Sequence, residues 1–245
     1  MTAQCYSIKK DGDYLRVYLL ESLKLSISLK NAKLSAGIAI VNFGPALFCP
    51  GEILGLCRVC GRCYAKSREV VPSYWHPGHY DILDYRFAQY HFFRHATRAE
   101  VLSVFEHVFL WLSTHGYRRL RLQEASDFYS QWYVDTAEAI ARLGRTYGII
   151  TYTYTTRKDL DYSDVRELRV NGSGWAGPTG ETCVIPSTDK LPEGFKLCRK
   201  DCSKCWLCAV RGVKIAFEVH GTYSEPEHGP YVRSIPGWYP VQEAA

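Results

Sequence analysis

Methionine is almost missing, with one in 245 residues, and asparagine and glutamine are sparse. A chain so poor in thermolabile side chains points to a thermophilic source. No stretch reaches the roughly eighteen consecutive apolar residues of a membrane-spanning helix. The opening Met1-Thr-Ala-Gln-Cys5 has neither the basic region nor the apolar run of a secretory signal. The expected location is the cytoplasm, that of a host cell if the chain is viral, with no membrane partner. Also missing are a Gly-rich phosphate loop, a nucleophile elbow and a His-Glu-x-x-His helix, so nucleotide triphosphatase, serine hydrolase and zinc protease readings lack support. There is no internal repeat and no low-complexity tract.

What is plentiful is cysteine, and its spacing is uneven. Eight of the ten cysteines fall in two loops, one holding Cys49, Cys57, Cys60 and Cys63, the other Cys198, Cys202, Cys205 and Cys208. Spacings of two or three residues let one backbone turn aim several thiolates at one point, so these read as ligand loops for iron–sulfur clusters or zinc. In a reducing compartment that reading outranks disulfides, although thermophilic cytoplasm is the known exception. The loops either hold two separate sites or converge on one. Cys183 is a spare thiol for the second loop, and Cys5 reads as a small buried residue. His76 and His79 sit in a Pro/Gly turn and would need two further ligands to hold a metal.

With 47% hydrophobic and 22% charged residues the composition is that of an ordinary globular protein. The net charge of +5 counts every cysteine as neutral. Two four-thiolate cubanes would lower it to about +1, so the basic balance argues only weakly for nucleic acid.

The pattern of elements is α/β. Tyr14–Leu20 and Leu23–Leu29 alternate as a hairpin about Glu21-Ser22, and Gly37–Phe43 reads as a strand buried on both faces. Helices are expected over Asp81–Ala96 and Thr97–His115. The second opens on the capping box Thr97-Arg-Ala-Glu100, carries Val101, Val104, Phe105, Val108 and Leu112 on one stripe, and stops at Gly116. A strand at Arg119–Gln123 leads to a helix from Ser130 to Leu143 closed by Gly144. Then come a strand at Ile149–Tyr154, a short helix at Asp161–Arg166, and strands at Leu168–Val170 and Val213–Val219. Strands alternating with helices argue for right-handed crossovers and a parallel sheet. The segments read as residues 1–30, an N-terminal β-hairpin; 31–180, the core with the first cysteine loop; and 181–245, the second cysteine loop, a final strand and an extended tail.

Chemistry in such a sheet sits at the carboxyl ends of its strands. Glu124 and Asp127 there are candidates for acid–base work and Arg157 for an anion partner, while the plain alternative has Asp127 capping the next helix. The substrate could be a small molecule or a nucleic acid.

Four islands carry a resemblance to a family. They are Leu25-Ser-Ile-Ser-Leu-Lys-Asn-Ala-Lys33; Cys49-Pro-Gly51 with Cys63-Tyr-Ala65; Arg121-Leu-Gln-Glu-Ala-Ser-Asp-Phe-Tyr-Ser130 with Tyr133; and Cys202-Ser-Lys-Cys205-Trp206 with Phe217-Glu-Val-His220. In this order they resemble the phage and mobile-element family called gene product eighty-eight, which is similar in its cysteine loop to radical-SAM-like proteins. The resemblance implies a partial (βα) barrel, one or two [4Fe-4S] clusters and S-adenosylmethionine chemistry, hence a redox or radical enzyme. The rival is a zinc- or cluster-stapled module that binds nucleic acid or a replication partner. Where the family pattern reads Arg-x-His-x-x-Gly-Asp-Phe, this chain has Gln123 and Ser126 at the His and Gly positions and keeps Asp127.

Overall fold

The structure, a computed structural model, describes residues 6–30, 37–57, 63, 65, 66, 69, 82–199, 201, 202 and 204–218. Ten strands form one sheet: β1 Tyr6–Asp11, β2 Tyr14–Leu19, β3 Ser22–Ser28, β4 Ile38–Val41, β5 Arg119–Leu122, β6 Ile150–Thr155, β7 Arg169–Ser173, β8 Gly180–Ile185, β9 Phe195–Leu197 and β10 Val213–Glu218. They lie in the order β1-β2-β3-β4-β5-β6-β7-β8-β10-β9. Pairing is antiparallel from β1 to β4 and parallel from there on. Among the described residues the strands run in a row, and with the helices they make the expected mixed α/β fold, built on one large sheet.

Three helices of more than two turns cover one face: α1 Ile82–His95, α2 Arg98–Thr114 and α3 Gln131–Thr146. The capping box at α2 forms as its sequence suggests, Thr97 Oγ1 accepting from the Glu100 N–H at 3.2 Å and Glu100 Oε2 from the Thr97 N–H at 2.7 Å. The stripe Val101, Val104, Phe105, Val108 and Leu112 is fully buried and gains Phe109. It packs with Ala39, Val41, Leu120 and Leu122 of the sheet in the main core, each large side chain contributing about 1.5–3 kcal/mol.

Several boundaries differ from the sequence reading. β1, β8 and β9 were not anticipated, and residues 161–166 form turns instead of a short helix. Gly144 does not end α3. It lies inside the helix, where a Cβ would come 2.9 Å from Phe109 Cζ, and the stop is Gly148 at φ +70°. A glycine can thus mark close packing as readily as a helix end.

The β2–β3 turn also shifts by one residue, to Leu20-Glu21. Both residues are left-handed, at φ 48° and 64°, the requirement of a type I′ hairpin that Asn-Gly meets best. Leu20 is 89% exposed, so its side chain repays little of that strain. The double substitution Leu20→Asn/Glu21→Gly should stabilise the protein by about 1 kcal/mol, read as a rise in the thermal midpoint of about 2–4 °C.

Candidate functional site

The parallel strands give the sheet two unlike edges. At the carboxyl edge, β4 runs into Asn42 and then the Cys49-Pro-Gly51 loop, β5 into Gln123–Asp127 and β6 into Thr156-Arg157. Asp127 is fully buried and ties these together. Its Oδ1 accepts from Thr155 Oγ1 at 2.5 Å and the Phe128 N–H at 2.8 Å, and its Oδ2 from the Thr156 N–H at 2.7 Å and Thr156 Oγ1 at 2.8 Å. Burial raises its pKa above the ordinary 3.8 despite these four donors. The cysteine loop packs directly on this joint. A side chain at Gly51 would collide with Thr156 Oγ1 and come 3.1 Å from Asp127 Oδ2.

Arg157 is nine-tenths buried, and its hydrogen bonds point inward. Nη1 donates to the carbonyls of Phe128 and Tyr129, and Nε and Nη2 hold Asp159, at 2.8 Å for the shortest contacts. Glu124 is half-buried. Asn42 Oδ1 accepts from its N–H at 2.7 Å and from that of Ala125 at 2.8 Å. The Glu124 charge acts on Arg86 and Tyr85 of α1.

Beside Glu124 lies a buried polar network that the sequence reading missed. Glu69 accepts from the Ala46 N–H at 2.7 Å, the Leu47 N–H at 2.9 Å and Arg86 Nη1 at 2.6 Å. Gln89 Nε2 donates to the Asn42 carbonyl at 2.5 Å. Buried atoms with no hydrogen-bond partner among the described residues include Arg86 Nε and Gln89 Oε1 on α1 and Gln123 Oε1 and Nε2 at the end of β5. Gln123 is 2% exposed and held at φ 63°, and Ser126 at φ 67° stands in the left-handed conformation that ordinarily favours glycine. The overlooked signal was Arg86 and Gln89 on the same helical face as Tyr90 and Phe93, two polar residues at core spacing.

The two cysteine loops are not brought together. Cys49 and Cys63 belong to the carboxyl edge, where Cys63 packs against Ala46, Ala65 and Ala125. Cys60, with His76, His79 and Cys5, lies outside the described residues, and Cys57 is not among the free thiols. The second loop covers the sheet face opposite the helices. Cys202 and Cys208 pack on Ile38, Ile40 and Tyr152, and all four of its cysteines line a shallow cleft with Arg119 and Trp206. Cys183 is in β8.

This arrangement overturns the iron–sulfur, zinc and S-adenosylmethionine expectations. Among the described residues no group of three or more His, Cys, Asp or Glu side chains is placed to hold a metal ion. The redox or radical enzyme built on such a cluster falls with it, as does the metal-stapled module. Burial, then Asp127, pushes the Cys49 thiol up to about 12, and burial pushes Cys208 up to about 11.

Fold and site together define an α/β protein with an open, largely parallel sheet, a polar carboxyl edge and a thiol-lined second face. Residues 7–171 match the family model described as Gene product 88, and the chain belongs to that family. No curated protein matches the chain, nor does any solved structure. No helix among the described residues is long and apolar enough to cross a membrane.

Asp127→Asn would replace one carboxylate oxygen with an N–H₂ that faces other donors, and should cost about 1–3 kcal/mol of stability. Because the folded pKa of Asp127 is raised, its contribution is greatest below the unfolded value near 3.8 and is lost as pH rises through the folded value. Urea midpoints of the two proteins should therefore diverge further as pH falls from about 7 toward 4.

Proposed function

We propose that the protein binds a small polar molecule at the carboxyl edge of its sheet, between the ends of β4 and β5 and helix α1. The observation that carries this is the group of four unsatisfied buried atoms on Arg86, Gln89 and Gln123. Each such atom costs about 1–3 kcal/mol, so two on α1 and two on the residue that ends β5 are a standing cost that a bound ligand would offset. The position is also the usual one for ligands in open parallel sheets.

The Gln123 amide offers one acceptor and two donors. Its natural complement is a planar group with an adjacent donor and acceptor, such as a carboxamide or the edge of a nucleobase. Glu124 is the acid–base group of this reading, since it stands next to Gln123 and within electrostatic reach of Arg86 and Tyr85. Asp127 and Arg157 serve as positioning residues, because their hydrogen bonds fix the strand-end backbone.

Gln123→Leu keeps the side-chain volume and removes both orphaned atoms. The variant should be more stable than the parent by about 1 kcal/mol or more and should lose ligand binding. The check is saturation-transfer NMR with adenine, cytosine and nicotinamide, set beside thermal melts. A parent protein that binds none of the three, or a Gln123→Leu variant that binds as the parent does, would sink the reading.

A further inference from the structure

The opposite edge of the sheet, where the parallel strands begin, is rich in arginine. Arg169 Nη1 donates to the carbonyls of Arg166 at 3.2 Å and Glu167 at 2.9 Å, and Arg211 Nη2 donates to the same Arg166 carbonyl. Two guanidinium groups are therefore drawn to one oxygen. The charges of Arg211 and Arg145 oppose that on Arg169, while those of Glu167 and Glu138 favour it. The acidic groups nearby are already engaged, Glu167 with Arg145 at 3.2 Å and Glu138 with Arg142 at 2.7 Å. Arg166 and Arg211 are exposed. Five arginines, at 142, 145, 166, 169 and 211, stand with three carboxylates, Glu138, Asp164 and Glu167, and an anion placed between Arg169 and Arg211 would relieve their repulsion.

An aromatic platform adjoins the cations. Trp206 is 42% exposed and rests on the Arg119 guanidinium, 4.2 Å from the ring centre. Arg119 is itself fixed, donating to the carbonyls of Cys205 at 2.6 Å and Cys202 at 2.8 Å, so the indole is held in place. The register sets Arg119 beside Ile150 and Arg169 beside Tyr152. Trp206, held through Arg119 on β5, and Arg169 on β7 are thus two strand spacings or about 10 Å apart, with exposed Arg118 just before β5 and Arg211 reaching over from the turn before β10.

We infer that this amino edge is a binding surface for single-stranded nucleic acid, with Arg169 and Arg211 on a backbone phosphate and Trp206 stacked on a neighbouring base. Cations beside a rigid exposed aromatic side chain are the means by which proteins hold unpaired strands without reading sequence. A duplex hides the base faces that Trp206 would need. The net charge of +5 favours such a partner at long range, and the contact uses no metal and none of the carboxyl-edge residues.

The test is fluorescence anisotropy of a labelled fifteen-nucleotide oligothymidylate, its ribose counterpart and a duplex of equal length, at low and moderate salt. The full chain should bind the single strands more tightly than the duplex, with affinity that falls as salt rises. Arg169→Gln/Arg211→Gln should weaken binding by about tenfold or more and reduce the salt slope by about 2. Trp206→Ala should weaken it by about fivefold or more and leave the slope unchanged. Lys9→Gln/Lys10→Gln on β1 removes the same charge far from this edge and should have little effect. Arg211→Gln alone, on an exposed side chain, guards against a folding defect. Equal weakening by the β1 control, or no binding of any strand at low salt, would overturn the inference. So would tighter binding of the duplex. Full displacement by millimolar inorganic phosphate would reassign the arginines to a free phosphate.

Discussion

Parallel pairing of β4, β5 and β6 in fixed register is the constraint on which the rest of this protein depends. Side chains along a strand alternate between faces, so the run Arg119-Leu-Arg-Leu122 sends Leu120 and Leu122 into the helix-covered core and Arg119 and Arg121 to the other side. There Arg119 holds two carbonyls of the second cysteine loop and Arg121 lies over the Tyr154 ring at 5.0 Å. A slip of one residue would bury two arginines among Phe105, Phe109 and Ile140 and leave the leucines facing thiols and indole. The same register aligns the strand ends, which is why polar groups distant in sequence meet at two edges.

The two edges manage buried polarity differently. Asp127 has a donor for every acceptor position it needs, and Arg157 is similarly occupied, so this part of the carboxyl edge is rigid. A few residues away, Gln123, Gln89 and Arg86 keep atoms without partners. Rigidity beside unmet hydrogen-bonding capacity is what a preorganised binding site requires, because the ligand then bears little of the ordering cost. At the amino edge the imbalance is one of charge, with arginines held by carbonyl oxygens that orient them without neutralising them.

Local patterns were the legible part. The capping box at Thr97, the stripe of α2, the β2–β3 hairpin and the placing of the first cysteine loop and Asp127 at strand ends all follow from short-range periodicity and capping chemistry. Legibility failed where one residue type serves two purposes. Gly144 reads as a helix stop but gives way to the Phe109 ring, and the real stop lies four residues on. Cysteine spacing reads as ligand geometry, yet spacing fixes only how far apart thiols can be along the chain. It does not fix which face of the sheet each loop covers.

The sequence by itself determined the α/β class, the helix-side core and the family, because these rest on periodicity and on residues close together in the chain. The tertiary structure alone decided that the described strands form one large sheet and that the described cysteines of the two loops lie on different parts of it. It also decided that Arg86 meets Glu69 and Gln89 meets the Asn42 carbonyl, while Gln123 is buried at the end of β5. Those outcomes depend on long-range strand order and on how burial and neighbouring charge set each group's chemistry, and neither is encoded in any short stretch of chain.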